Sequence, residues 1–190
     1  MNRSKQREIF DAWLAQHRGL LFKVVRVHAF TPHDRDDLFQ EIATQVWHSI
    51  PHFRGESAVT TWLYRVALRC AIAWSQKEKR RRDRHPELGS LSPEDARSPF
   101  GAARGSADGE RKPMLREITG HRDRGLDWLY EQIARLDDID RALTLLLLDG
   151  FSHREIAATL GLSETSVGVK IHRIKNHLAD RSREEIEYGL

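Results

Sequence analysis

Residues 163–176 place side chains of DNA-binding type on one side of a predicted helix. At about 100° per residue, one face of that helix carries Thr165, Ser166, Val169, Lys170, Arg173 and Asn176. Hydroxyl groups and Lys can bind phosphates and bases, Arg can pair with guanine, and Val can contact the thymine methyl group. An amphipathic helical hairpin with a solvated outer face would show the same spacing. The pattern alone leaves both interpretations open.

The residues before this helix predict the tight turn of a helix-turn-helix unit. Gly161 can adopt the positive φ of such a turn, Leu162 can fill the angle between the two helices, and Ser163 can cap the second one. The predicted inner faces hold Ile156, Ala157 and Leu160 on the first helix and Val167, Ile171, Ile174 and Leu178 on the second. Gly168 weakens the prediction slightly, because a glycine inside a helix costs about 1 kcal/mol relative to alanine.

A second cluster of polar side chains combines carboxylates and an amide: Asp36, Asp37, Gln40 and Glu41. Asp37 and Glu41 are four residues apart, as an acid–base pair or two metal ligands on one helix face would be. Acidic residues in a first turn also complement the helix dipole, and no apolar cleft or partner histidine can be placed nearby. We therefore expect a docking surface for another protein rather than a catalytic site.

Aromatic and cationic residues alternate over the next thirty or so positions: Phe53, Arg54, Trp62, Tyr64, Arg65, Arg69 and the run Lys77–Arg82. Aromatic rings can stack on unpaired bases while cations hold the nucleic-acid backbone. The alternative is that the rings belong to the hydrophobic core. The core is favoured for Tyr64, and both interpretations stay open for Trp62.

The ten histidines do not suggest a metal site. His48 and His52 flank Pro51, and His172 and His177 lie on different faces of their helix. Neither spacing suits a pair of metal ligands. We expect no metal, no cofactor and no enzymatic activity.

Composition favours small helical units with a large surface. Hydrophobic residues make up 39% of the 190 residues and charged residues 31%. The net charge is only +3, but KEKRRRDRH at 77–85 carries six Lys or Arg against two acids, which suits a polyanion or a solvated helix end. The single Cys70 excludes an intramolecular disulfide. With no apolar run long enough for a bilayer and no secretory signal pattern, a cytoplasmic location without membrane insertion is expected.

Signals for helix starts, helix ends and a linker divide the chain into two predicted helical domains. Thr31 and Pro32 predict a helix start, and the helix that follows should end before Pro51. Its predicted inner face holds Phe39, Ile42, Ala43, Val46, Trp47 and Ile50, and the next helix is expected to bury Leu63, Val66, Ala67, Cys70 and Trp74. Residues 83–119 are rich in Pro, Gly, Ser and charge and predict a flexible linker.

Helical periodicity resumes at 126–136, after which Asp137 or Asp138 can cap the next helix and Gly150 can end it. The prediction is an all-α protein with domains at 1–82 and 120–190.

The order of these features resembles that of a known family. The stretch DRDDLFQEIATQVWHSIPHFRGESAVTTWLYRVALRCAI is similar to region 2 of bacterial sigma factors. The stretch LDDIDRALTLLLLDGFSHREIAATLGLSETSVGVKIHRIKNHL is similar to their region 4. Two helical domains joined directly by a linker resemble the extracytoplasmic-function (ECF, group IV) type, and the resemblance covers nearly everything except the linker.

This resemblance implies a factor that binds core RNA polymerase, recognises the −35 and −10 promoter elements and helps to melt the DNA. The β′ clamp helices would meet Asp36, Asp37, Leu38, Gln40, Glu41 and Thr44. The −10 element would meet Phe53, Arg54, Gly55, Trp62, Arg65, Arg69, Lys77, Arg80 and Arg81. The −35 element would meet Ser163, Thr165, Ser166, Val169, Lys170 and Arg173. The β flap and an anti-sigma factor are further partners that the resemblance implies.

Two departures from the family pattern bear on promoter preference. Arg69 and Ala73 stand where relatives often carry Asn and then Asp, and Gly168 and Val169 replace a more usual polar or basic pair. The promoter sequence preferred by relatives therefore does not transfer. The alternative hypothesis is a stand-alone helix-turn-helix regulator whose first domain dimerises, although neither a heptad repeat nor a ligand pocket is evident.

Overall fold

The computed structural model describes residues 2–84 and 124–188, and these are almost wholly helical. The α-helices are α1 (Arg3–His28), α2 (Pro32–Ser49), α3 (Val59–Arg84), α4 (Arg124–Arg135), α5 (Asp138–Leu148), α6 (His153–Leu160) and α7 (Glu164–Tyr188). No strand occurs in these two stretches, and the predicted all-α class is confirmed. The predicted linker lies outside the described residues except at its start, where α3 continues through Arg84.

Helices α1, α2 and α3 pack on one another around an apolar core. Leu21, Val24 and Val25 of α1 are buried in this core. Gln6, although polar, is buried and donates a hydrogen bond from Nε2 to the carbonyl of Trp47 at 2.8 Å. That bond joins the start of α1 to the end of α2. The backbone of α1 leaves the helical region at His17, where the helix bends.

The ends of α2 follow from local sequence, as predicted. Thr31 Oγ1 accepts a hydrogen bond from the Asp34 N–H at 3.1 Å, and Pro32 occupies the first turn. Pro51 falls in a short 3-10 helix, Ile50–His52, directly after the α-helix ends. Phe39, Ile42, Val46 and Ile50 of the predicted inner face are buried, and Ala43 and Trp47 are partly buried.

The buried stripe of α3 differs from the predicted one. The structure buries Leu63, Tyr64, Ala67, Leu68 and Ala71. Val66, Cys70 and Trp74 are only partly buried and lie on the flank that faces α2. The helix packs against both α1 and α2, so it has two apolar flanks, and helical spacing alone does not tell which flank lies deeper.

Helices α4 to α7 form the second half of the described chain. Asp137 caps α5 by accepting from the Asp140 N–H at 2.8 Å, and Gly150 follows α5 with a φ of 82°. Both features were predicted. The buried Arg141 donates through Nη2 to the carbonyls of Ala134 and Leu136, at 2.9 and 2.8 Å. It thereby satisfies two carbonyls at the end of α4 and fixes that helix to α5.

The two halves of the chain contact each other, which the picture of two separately tethered bodies did not anticipate. Helix α1 packs on α4 and α5, and α3 packs on α5 and α6. Asp149 accepts hydrogen bonds from both Lys23 and Tyr64. Arg26 pairs with Asp127 and stacks over the ring of Tyr130, 4.1 Å from its centroid. The two halves are therefore held together by hydrogen bonds, an ion pair and a cation–π contact in addition to helix packing.

Candidate functional site

Local hydrogen bonds build the unit of α6, turn and α7. Ser152 and Glu155 form a reciprocal capping box at the start of α6. Gly161 ends α6 in the left-handed region with a φ of 71°, as predicted. Ser163 Oγ then accepts from the Ser166 N–H at 3.1 Å, which confirms Ser163 as the cap of α7. The turn is therefore fixed at both ends, and this fixes the orientation of α7 relative to α6.

Helix α7 has a buried side and a solvent-facing side, arranged as predicted. Val167, Ile171 and Ile174 are buried and Leu178 is partly buried. The outer side exposes Ser163, Thr165, Ser166, Val169 and Arg173. Val169 is 65% exposed although apolar, so a valine side chain with no core role stands in the middle of this polar surface.

The two cations of the outer face share a partner that the sequence analysis did not find. Lys170 Nζ lies 2.5 Å from Oδ1 of Asp140, and Arg173 Nη2 lies 2.6 Å from Oδ2 of the same carboxylate. Lys170 retains 27% side-chain exposure, whereas Arg173 retains 64%. Asp140 belongs to α5, thirty or more residues away in sequence. No helical periodicity could have related these three positions.

The polar side of α2 forms a second exposed surface. Asp36, Asp37, Gln40, Glu41 and Thr44 are all exposed. Leu38 is the exception: it is 0% exposed, so its inclusion in the predicted docking surface was wrong. Leu38 is two positions before Gln40, about 200° around the helix, so its side chain points into the core while that of Gln40 is exposed.

A groove of about 730 Å³ separates this surface from α3. The α2 wall is acidic and polar and includes Asp37, Gln40 and Glu41. The α3 wall carries Arg69 and Lys77, with Cys70 and Trp74 between them. The sequence analysis placed Arg69 and Lys77 on a different surface from Asp37 and Glu41, whereas the structure puts them on facing walls of one groove.

The lone thiol in this groove is a weak acid. Burial, with a smaller contribution from the Glu41 carboxylate, raises the pKa of Cys70 to about 11. The thiol is therefore protonated at neutral pH and has little nucleophilic character.

Three aromatic rings, one from α1, one from the segment before α3 and one from α3, form a cluster. Trp13, Phe53 and Trp62 lie edge to face, with centroids 5.1 to 5.3 Å apart. All three are partly buried. The two interpretations of Trp62 therefore do not exclude each other, since its ring packs on its neighbours while the residue stays partly exposed. Tyr64 is buried, in line with the favoured interpretation.

Exposed cations follow Phe53 in the sequence and continue along α3. Arg54 and Gly55 are exposed in the turn before α3, where Gly55 has a φ of 76°. Arg65 is partly buried and Arg69 is exposed. Lys77, Arg80 and Arg81 are exposed on the last turns, and Arg81 pairs with Glu78 at 2.8 Å. The chain thus offers aromatic edges followed by a row of positive charge along a single helix.

Neither a metal centre nor a membrane segment is found in the described ranges. Within residues 2–84 and 124–188, no three or more His, Cys, Asp or Glu side chains are grouped so that they could hold a metal ion. None of the described helices combines the length and the apolar character that a bilayer crossing requires.

The fold and these surfaces define a class: an all-α protein that joins a three-helix unit, with an acidic face and a basic helix end, to a helix-turn-helix unit. Comparison with known families gives the particular identity. The model of Sigma-70 region 2 matches residues 13–81, and that of Sigma-70 region 4 matches residues 126–178. The chain belongs to the sigma-70 family and is a sigma factor of the ECF type.

Curated relatives agree with this assignment. The chain is similar to the ECF RNA polymerase sigma-E factor of Escherichia coli (strain K12), with 28% identity over 148 residues, 78% of this chain and 73% of that protein. It is also similar to the ECF RNA polymerase sigma-E factor of Haemophilus influenzae, with 29% identity over 165 residues, 86% of this chain and 79% of that protein.

Solved structures share the fold at lower sequence identity. CnrH in complex with the cytosolic domain of CnrY superposes with a TM-score of 0.60 at 18% identity, covering 94% of this chain and 90% of CnrH. The sigma factor RpoE in complex with the anti-sigma factor NepR from Bartonella quintana gives 0.59 at 18% identity, covering 91% of this chain and 96% of RpoE.

Proposed function

We propose that this sigma factor binds core RNA polymerase and carries it to promoters through two DNA-binding surfaces. The proposed division of labour follows the predicted domains: residues 1–82 for polymerase and the −10 element, and residues 120–190 for the −35 element. Membership of the ECF family supports the general role. One observation carries the assignment to surfaces: α7 keeps its hydroxyls, Val169 and Arg173 exposed above a fully apolar inner side.

The −35 surface is proposed to be the outer face of α7 in the major groove. Ser163, Thr165 and Ser166 lie at the helix N-terminus, where hydroxyl and backbone N–H groups suit phosphate contacts. Val169 and Arg173 follow one turn apart and suit a thymine methyl group and a guanine edge. Lys170 contributes less than the sequence predicts, since its ammonium group is already paired with Asp140.

Transcription by reconstituted holoenzyme tests this surface. Arg173→Ala should reduce −35-dependent initiation about tenfold or more, because one good bidentate base contact contributes about 1–3 kcal/mol. Lys175→Ala is the matched control: it removes the same charge from an exposed position of α7, about 160° away around the helix. An equal loss in both variants would contradict a sequence-specific role for Arg173.

The polymerase surface is proposed to be the exposed side of α2 with the groove beside it. Both carboxylates are exposed: His33 Nε2 lies 3.5 Å from Asp37 Oδ2, and Glu41 accepts a hydrogen bond from Gln45. Such charges are available to a basic partner. Because Leu38 is buried, it acts only as the support beneath this surface.

Affinity for core polymerase tests this second surface. Asp37→Asn combined with Glu41→Gln should weaken binding at least tenfold while leaving helical content and binding of −35 DNA unchanged. Glu8→Gln with Asp11→Asn removes two exposed charges from α1 and should have no effect. If the α2 pair bound polymerase as tightly as wild type, this surface would have to be reassigned.

Opening of the −10 element is proposed to use the turn at Phe53–Gly55 and the cationic side of α3. Arg54 is exposed and directly follows Phe53, whose ring belongs to the cluster with Trp13 and Trp62. Arg54→Ala should lower the reactivity of single-stranded thymines in the open complex several-fold, and a pre-melted template should restore initiation. Arg7→Ala, on an exposed turn of α1, provides the control.

A protein inhibitor is a further proposed partner. Structures similar to this chain were solved as complexes, in one case with an anti-sigma factor. The groove between α2 and α3 is the proposed seat because both its walls bear polar groups for a partner. An inhibitor captured from the source bacterium should block holoenzyme assembly, and it should bind the Asp37, Glu41 variant more weakly.

Purified protein without polymerase separates this proposal from the alternative. A stand-alone regulator would bind duplex operators tightly and at two-fold symmetric sites. The sigma factor should show promoter-dependent transcription only when core polymerase is present. If core polymerase initiated no better with this protein than alone, the proposed function would be wrong.

A further inference from the structure

Asp140 of α5 reaches the outer face of α7 with its side chain. The residue lies in the first turn of α5, and its side chain is only 6% exposed. Each carboxylate oxygen accepts from one cation of α7: Oδ1 from Lys170 at 2.5 Å and Oδ2 from Arg173 at 2.6 Å. A single buried carboxylate therefore bridges the two basic groups of the proposed −35 surface.

The backbone around this carboxylate is held rigidly. The Asp140 N–H donates to the Asp137 side chain at 2.8 Å, and the Asp140 carbonyl accepts from Thr144 Oγ1 at 2.7 Å. Burial would raise the pKa of the Asp140 carboxyl, but the hydrogen bonds from Lys170 and Arg173 outweigh it and lower the pKa. Asp140 is thus a fixed negative charge at neutral pH.

The two cations are affected differently. Lys170 is an ammonium group with 27% side-chain exposure, and the carboxylate neutralises it. Arg173 keeps 64% exposure and is anchored through one Nη2, while a guanidinium has five N–H donors in one plane. The anchor therefore restrains the position of the Arg173 guanidinium and leaves its other N–H groups available for a base edge.

We propose that Asp140 is a positioning residue that sets the sequence specificity of α7: it orients Arg173 toward the bases and withholds Lys170 from sequence-independent phosphate contact. The inference rests on the proposed −35 function of α7. It adds a residue outside the helix-turn-helix, on α5, to those that determine promoter choice. A purely structural role, in which Asp140 only joins α5 to α7, is the competing explanation.

Asp140→Asn tests the proposal, because it keeps the shape of the side chain and removes the charge. Binding of reconstituted holoenzyme is measured on a footprinted promoter fragment and on the same fragment with its −35 element replaced, over a range of salt concentrations. We expect the preference for the intact fragment to fall about tenfold, since Arg173 loses its fixed orientation. The slope of log affinity against log salt should steepen by about 1, since Lys170 becomes available to a phosphate.

Two further variants isolate the cause. Asp140→Asn with Lys170→Gln should return the salt slope to the wild-type value while the preference stays low. Asp138→Asn removes a charge from the same turn of α5, where Asp138 faces Arg141 at 3.4 Å, and should change neither quantity. Circular dichroism and polymerase affinity should stay at wild-type values in every variant.

The outcomes separate the inference from the function on which it rests. Wild-type holoenzyme with no preference for the intact fragment would overturn the proposed −35 function and the inference together. A normal wild-type preference with unchanged preference and slope in Asp140→Asn would overturn the inference alone. Lower thermal stability of Asp140→Asn with both quantities unchanged would also overturn it, in favour of the structural role.

Discussion

At the scale of single residues, His28 makes the stability of this protein depend on pH. The side chain is 1% exposed, and its Nδ1 donates to the carbonyl of Val24 at 2.9 Å. Burial lowers its pKa to about 4; the Val24 hydrogen bond opposes that shift, and the nearby Arg141 charge adds to it. In the folded chain the imidazole is therefore neutral at every pH above that value.

Acidification should destabilise the fold through this residue. The unfolded chain takes up a proton on His28 below about pH 6.5, whereas the folded chain does so only near 4. Between these values the unfolded state binds more protons, so this contribution to the free energy of unfolding falls by about 2 kcal/mol from pH 7 to pH 5. Urea unfolding at the two pH values measures the change.

Two variants assign that pH dependence to its source. His28→Leu should flatten the dependence by about that 2 kcal/mol, and His48→Leu, at an exposed position, should leave it as in wild type. A His28→Leu protein that lost as much stability on acidification as wild type would show that other groups are responsible.

Residue types in the sequence predicted the outer face of α7 correctly but not the partners of its charges. The spacing of Lys170 and Arg173 along the sequence shows that they share one helix face, because that relation is local. Their shared partner Asp140 comes from α5, and only the packing of α5 on α7 brings it within reach. Leu38 shows that burial, too, depends on packing: its assignment by family resemblance put it on a surface, whereas it lies in the core.

At the scale of helices, two glycines of the helix-turn-helix unit should respond oppositely to the same substitution. Neither has any atom within 4 Å of where a Cβ would stand, so the backbone alone decides the result. Gly161 has a φ of 71°, and Gly161→Ala should cost about 1 kcal/mol. Gly168 lies inside α7 in regular helix, and Gly168→Ala should stabilise the protein by about 1 kcal/mol.

Chemical unfolding of the two alanine variants and wild type, followed by circular dichroism, checks both signs. Each variant serves as the control for the other, because both add one methyl group to the helix-turn-helix unit. Destabilisation by Gly168→Ala would mean that α7 is not a regular helix at that point.

Helix boundaries were predictable because their causes are local. Thr31 with Pro32, Asp137, Ser163 and Gly161 each lie next to the end that they determine. The buried stripe of α3 was predicted only in part, since α3 is covered by α1 on one flank and α2 on the other. The spacing of apolar residues predicted correctly that α3 is a helix with a buried face. It predicted incorrectly that Val66, Cys70 and Trp74 are the buried residues of that face.

At the scale of the whole molecule, Asp149 joins the two halves of the chain. It accepts from Lys23 of α1 and from Tyr64 of α3, and the Tyr64 ring also meets Phe151 edge to face at 5.4 Å. Burial and the Asp149 contact raise the pKa of Tyr64, so its hydroxyl remains a donor. The sequence could not predict this contact, because Asp149 lies 85 positions from Tyr64 and 126 from Lys23, and no local pattern relates the three residues.

Removing that carboxylate should separate the halves without unfolding either. Two hydrogen bonds contribute about 2 kcal/mol, so Asp149→Ala should shift the balance toward separated halves about thirtyfold. Small-angle scattering should show a larger radius of gyration with unchanged helical content. Tyr64→Phe, which keeps the Lys23 pair, should have a smaller effect; an Asp149→Ala chain as compact as wild type would assign the closure to apolar contacts instead.

The groove thiol has a practical consequence for anyone who labels this protein. With a pKa of about 11, roughly one molecule in ten thousand carries a thiolate at pH 7. Maleimide dyes should therefore react far faster with a cysteine introduced on the outer turns of α7 than with Cys70. Spectroscopic labels can therefore be attached to an introduced cysteine without first replacing Cys70, which should stay largely unlabelled.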